Sequence, residues 1–150
     1  MILEEHVEEA VKSLAAANAA IIALVAAAAP NALVIRDYRD NAQAKAERMI
    51  VVHAAPAERL SPVANFYRVP VTAMAITHQV GDKSRAACEA IYQALQTVIN
   101  GATATTLGAK LPDGSAVTID GIVPTPGGEG ADESHQFLAV KADIFATIAA

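Results

Sequence analysis

The stretch Tyr67–Ile99, YRVPVTAMAITHQVGDKSRAACEAIYQALQTVI, decides the fold class. Its first half, extended back to Phe66 and ending at His78, alternates small apolar and polar residues as a strand does. Gly81-Asp82 then makes a turn, with Asp82 placed to cap a helix from Lys83 to about Asn100. Ala87, Ile91, Leu95 and Val98 share one face of that helix, with Cys88 and Ile99 beside it, and Asn100-Gly101 stops it. Pro70 cannot donate to a ladder, so it marks an edge, a bulge or a strand start. The long strand is therefore expected to project beyond its own sheet at the Phe66 end, toward a neighbour.

Working outward, the chain before this unit opens with a helix from about Leu3 to Ala28. Its stripe is Leu3, Val7, Val11, Leu14, Asn18, Ile21, Ile22 and Val25, its first turns are acidic, and Pro30-Asn31 ends it. Short strands follow at Ala32–Arg36 and Met49–Ala54, separated by the polar segment Asp37–Arg48. The connection Pro56–Asn65 leads into the long strand. Beyond the second helix, Ala102–Asp113 is a connection ending in the turn signature Pro112-Asp113-Gly114. A strand at Ala116–Val123 is followed by the glycine-rich loop Pro124–Ser134. The last strand, His135 to about Ile148, puts Leu138, Val140, Ala142, Ile144, Ala146 and Ile148 on one face and Ala139, Lys141 and Asp143 on the other. The order α-β-β-β-α-β-β predicts a single α+β domain over 1–150. It has two layers, a mainly antiparallel sheet of four to five strands and two helices on one face.

Composition bounds the function. Hydrophobic residues make up 53% of the chain but aromatics only 4%, so the core must rest on closely packed Ala, Val, Ile and Leu. A net charge of −5 argues against a general nucleic-acid binder, whose phosphate contacts need clustered Lys and Arg. Cys88 is the only cysteine, which excludes an internal disulfide and fits a reducing compartment. Glu4, Glu5, Glu8 and Glu9 have the wrong sign for a secretory leader. The apolar run Leu14–Ala29 falls short of the roughly 20 residues that a spanning helix needs.

No reactive constellation stands out. His6 lies in acidic first turns and is expected to be solvated. His53 and His78 lie in strands that bring them close only if those strands pair in register. Two histidines alone make a thin metal site, and backbone or water satisfies strand histidines more often. Cys88 near a helix N-terminus has the position of an activated thiol, but no orienting group accompanies it, and a buried structural thiol is the simpler reading. Gly127-Gly128-Glu129-Gly130 lacks the Lys-Ser/Thr ending and following helix of a phosphate loop. Asp37, Asp40, Glu47 and Asp120 show no spacing suited to paired-carboxylate chemistry. The long polar or glycine-rich connections are unusual in so small a domain, and contact with neighbouring subunits is their most economical use.

The quoted unit, a polar strand start with V-P-V, an alternating strand, an Asp-Lys turn and a helix with I-x-x-A-L-x-x-V-I, resembles the tail-terminator and tail-completion (head–tail joining) proteins of long-tailed bacteriophages. The length, the N-terminal helix and the two final strands separated by a variable loop are similar too. The resemblance implies a virion protein of the tail or neck, made in the host bacterial cytoplasm. It implies a homo-oligomer, a hexameric ring that caps the tail tube and presents a docking surface to the head-side connector. Its partners would be the tail-tube protein, the connector proteins and genomic DNA passing through the lumen without specific binding. No cofactor, metal, catalysis or membrane is implied. On that reading Arg36, Asp37, Arg39, Asp40, Arg48, Arg59, Arg68, Gly127, Gly128 and Glu129 are candidate subunit contacts, and Asp113, Asp132 and Glu133 are candidates to face the lumen. Two alternatives stay open: a tail-tube or connector ring subunit, and a small α+β ligand-binding module or enzyme with His53, His78 and Cys88 near one another.

Overall fold

A computed structural model describes residues 3–26, 35–37, 48–78, 83–112, 114–131 and 135–149. Among the described residues four helices, α1 (Leu3–Ala16), α2 (Ala19–Ala26), α3 (Lys83–Gly101) and α4 (Ala104–Gly108), accompany six strands. These are β1 (Ile35–Asp37), β2 (Arg48–Ala54), β3 (Glu58–Arg59), β4 (Phe66–His78), β5 (Val117–Ala131) and β6 (His135–Ile148). The sheet order is β1-β2-β4-β6-β5, with β3 also on β4. Every pairing is antiparallel except the short β1–β2 pair, which is parallel. The α+β class, the mainly antiparallel sheet and the helices on one face are as expected from the sequence.

Strand parity places the core. Ile50, Val52, Ala54, Val69, Val71, Ala73, Ala75, Leu138, Val140, Ala142, Ile144 and Ala146 are buried with Val7, Val11, Ile21, Ile91, Leu95 and Leu107 of the helices. Alanines at many of these positions let helix and sheet approach closely, and the void beside Val11, Leu107 and Ile144 is only about 10 Å³. On α3 the buried stripe is Cys88, Ile91, Leu95 and Ile99, with Val98 half-buried, a small rotation from the expected face. Glu8, one of the acidic residues in the first turns of α1, is buried at 2% exposure.

Four local expectations are corrected. The first helix is two helices, because Asn18 interrupts it. Ala17 and Asn18 leave the helical conformation, and the Asn18 Oδ1 accepts the Ile21 N–H at 3.1 Å, an N-cap for α2. Asn18→Ala should cost about 1 kcal/mol, read as a lower midpoint in denaturant. Ala102–Asp113 contains α4, started by a reciprocal capping box between Thr103 and Thr106. Pro124–Ala131, expected as loop, continues β5 as an edge strand. Register shifts between Ile119 and Gly121 and between Thr125 and Gly128 absorb the residues that do not fit the ladder.

The fourth correction concerns Pro70. β4 is central, between β2 and β6, and its Phe66 end does not project unpaired: Phe66 lies opposite Thr147, and β3 covers Tyr67 and Arg68. Pro70 is tolerated because of a gap in the ladder. The β2 register ends at Val71 and that of β3 begins at Arg68. The Pro70 carbonyl accepts the Ala55 N–H at 2.8 Å, which shows that its N–H side faces this gap. A residue's N–H and C=O point to the same strand edge, so the missing donor falls where the ladder is already broken.

Candidate functional site

The groups that would make a reactive centre are separated by the sheet. Cys88 is buried on the helix side, and its Sγ–H donates to the Ala75 carbonyl at 3.3 Å. His53 follows the fully buried Val52 and sits opposite Thr72, on the other face. His78 lies opposite His135, six residues along β4 from Thr72, or about 20 Å at ~3.3 Å per residue. Among the described residues no three His, Cys, Asp or Glu side chains form a metal-binding group, and no helix is long and apolar enough to cross a membrane. His6, expected in solvent, instead shares a 2.7 Å hydrogen bond with the Ser115 hydroxyl, pinning the start of α1 to the entry of β5.

Burial pushes the Cys88 thiol above its ordinary pKa, offset only in part by a hydrogen bond with Thr77 and the charge of Arg85. The folded chain therefore keeps its proton at a pH where the unfolded chain, ionising near ~8.5, has lost it. In that window the unfolded state binds fewer protons, so this group lowers stability as pH rises past the unfolded value. Labelling by a thiol reagent at about pH 8 should be slow in the native chain and fast once denaturant is added. Rapid native labelling would contradict a buried, protonated thiol.

Two surface features are built with more care than loops require. The first is the β3–β4 turn, at the Phe66 end of the sheet. The Leu60 N–H donates to the Phe66 carbonyl at 2.8 Å, and the Ser61 Oγ accepts from the Val63 and Ala64 N–H groups at 3.3 and 3.2 Å. The Arg59 Nε–H donates to the Ser61 carbonyl at 2.9 Å, and Arg68 pairs with Glu58 across the two strands. The turn is anchored from both sides: the Ala57 N–H donates to the Glu4 carboxylate at 2.7 Å, and the Ile148 N–H to the Asn65 carbonyl at 2.9 Å. This framework holds apolar side chains in water, with Val63 91% and Leu60 43% exposed. Beneath it, Phe66 and Phe145 meet edge to face with ring centres 6.1 Å apart.

The second feature is a groove of about 490 Å³ between α3 and the bulged half of β5, lined by Arg85, Glu89, Tyr92, Gln93, Gly127, Gly128 and Leu138. Arg85 and Glu89, one helical turn apart, pair at 2.9 Å on its rim. Gly127 comes so close to the Ala139 carbonyl that a Cβ there would overlap it. The bulge packs this tightly only because the residue has no side chain, and the side-chain-free Gly127-Gly128 wall leaves the groove open.

Four of the expected contact residues belong to these features, and the other described ones do not. Arg59 and Arg68 support the turn, and Gly127 and Gly128 form a wall of the groove. Glu129 continues β5 opposite Leu138. Arg48 donates to the Leu24 carbonyl at 2.8 Å, satisfying one of the end carbonyls of α2. Arg36 and Asp37 lie in β1, opposite Val51 and Val52. Arg39, Asp40, Asp113, Asp132 and Glu133 lie outside the described residues. Sequence reasoning missed Leu60 and Val63, whose only signal was two large aliphatic side chains in a short segment rich in turn formers.

No protein-family model and no curated protein matches the chain. A solved structure does. A chain described as "Virion of native gene transfer agent (GTA) particle" matches with a TM-score of 0.63 at 14% sequence identity. The match covers 95% of this chain and 96% of that one. This fold is found in a virion particle.

Proposed function

We propose that this chain is a structural virion protein of a phage-like particle, a tail-terminator or head–tail joining subunit that works as a hexameric ring. The observation that supports this most is the end-to-end likeness to a chain of a gene transfer agent virion, 95% against 96% coverage. The separation of Cys88 from His53 weighs against a ligand-binding or enzymatic reading built on those groups.

The mechanism is capping. One ring face matches the end of the tail tube and the other does not offer the tube's own addition surface, so polymerisation stops and the head-side connector docks. Heterologous contacts between identical subunits close such a ring. The net charge of −5 suits a lumen that DNA passes without being held, since binding would require Lys and Arg to displace counterions. Asp113, Asp132 and Glu133 are proposed to rim it. A tail-tube or connector subunit is the alternative within the same class, and it separates by behaviour: tube subunits stack into filaments, terminators stop as single rings. Light scattering after size exclusion, with negative-stain imaging, should show single closed rings of six. A stable monomer that takes up zinc or a small ligand would overturn the proposal.

A further inference from the structure

We propose that the Leu60–Ala64 turn of one copy seats in the α3–β5 groove of the next, making the two features halves of one head-to-tail contact. This rests on the ring-subunit reading and names the surface that closes the ring. The groove cannot be filled by its own chain's turn. Leu138 lies opposite Ala75, nine residues from Phe66 along β4, or about 30 Å at ~3.3 Å per residue. The turn also leaves β4 on its β2 side, whereas the groove opens on the β5 side. The two features therefore sit at diagonally opposite corners of the sheet, as a heterologous contact requires.

The groove's chemistry fits this occupant. About 490 Å³ is the size of a small-ligand pocket, enough for the tip of a tight turn and too little for a helix. Val63, almost wholly exposed, and Leu60 bring the apolar surface, and the half-buried Tyr92 offers apolar surface to meet it, over a floor where Leu138 is almost wholly buried. The signs match as well, by exchange of partners: Arg59, held to the Ser61 carbonyl beside the turn, suits Glu89, and Glu58, paired with Arg68 in its own chain, suits Arg85, paired with Glu89 in its own. Because hydrogen bonds already order the turn, little conformational entropy is lost on docking. Strand addition is the poorer route. The outer edge of β5 carries two register shifts, and Pro124 and Pro126 remove two backbone donors from the strand.

The test combines a disruptive substitution with a directed cross-link. Val63→Asp should weaken subunit association at least tenfold by light scattering while the circular dichroism and melting midpoint stay at wild-type values. In a Cys88→Ala background, Val63→Cys with Gln93→Cys, treated with a short bismaleimide, should give a covalent ladder of oligomers, and neither cysteine alone should. Rings that persist in Val63→Asp and yield no ladder would overturn this contact and leave the ring reading standing. A wild-type chain that stays monomeric and uncross-linked at every concentration would overturn both.

Discussion

Leu95→Ala should destabilise the chain by about 3–4 kcal/mol, the range for a fully buried leucine whose site cannot collapse. Leu95 is wholly inaccessible to solvent, in the α3 stripe with Ile91 and Ile99 above β4 and β6. The core it belongs to is rich in small residues on paired strands, among them Ala73, Ala75 and Ala142, and close-packed strands have little freedom to move into the space left behind. For a domain of this length the melting midpoint should fall by about 10 °C. The exposed Gln96 beside it supplies the control. Gln96→Ala should change stability by less than about 0.5 kcal/mol.

The second large effect is expected at Gly127. Gly127→Ala places a Cβ against the backbone carbonyl of Ala139, which cannot rotate away as a side chain would. Either the bulge between Thr125 and Gly128 reforms or β5 separates from β6 along its distal half. A cost of about 2–3 kcal/mol follows, as for overpacking in a rigid setting. Gly121→Ala is the matched comparison, since a Cβ there meets nothing within 4 Å, and its effect should stay below about 0.5 kcal/mol. Thermal melts of the two variants side by side decide the point. Equal effects would show that β5 does not approach Ala139 as closely as the structure has it.

These contrasts also show what was legible in the sequence. β6 and α3 were, because strict alternation and a clean helical stripe need no tertiary context. β5 was legible only to Val123. Glycine and proline weaken a strand in isolation, and only the neighbouring β6 and the bulges make an extended edge through Pro124 and Gly128 tolerable. α4 escaped because its capping box uses threonine in place of the usual Glu or Gln, on a helix of five residues. Pro70 misled for an instructive reason. The rule that proline avoids positions needing its donor held, but Pro70 is paired with Asp143 of β6, and its missing donor falls in a gap between two partner strands of a central β4 and not at a sheet edge. The candidate site was half visible. Arg59, Arg68, Gly127 and Gly128 stood out by charge or composition, whereas the exposure of Val63 depends on how residues 57 to 66 are tied together in three dimensions.

The proposed place in a head–tail junction is tested most directly on particles. An epitope tag on this chain, followed by gold-labelled electron microscopy of particles released from cells that carry its gene, locates it without assuming a ring size. The expected result is label confined to the junction between head and tail of each particle. Purified particles that carry no label, while the tagged chain accumulates free in the lysate, would contradict a structural virion role.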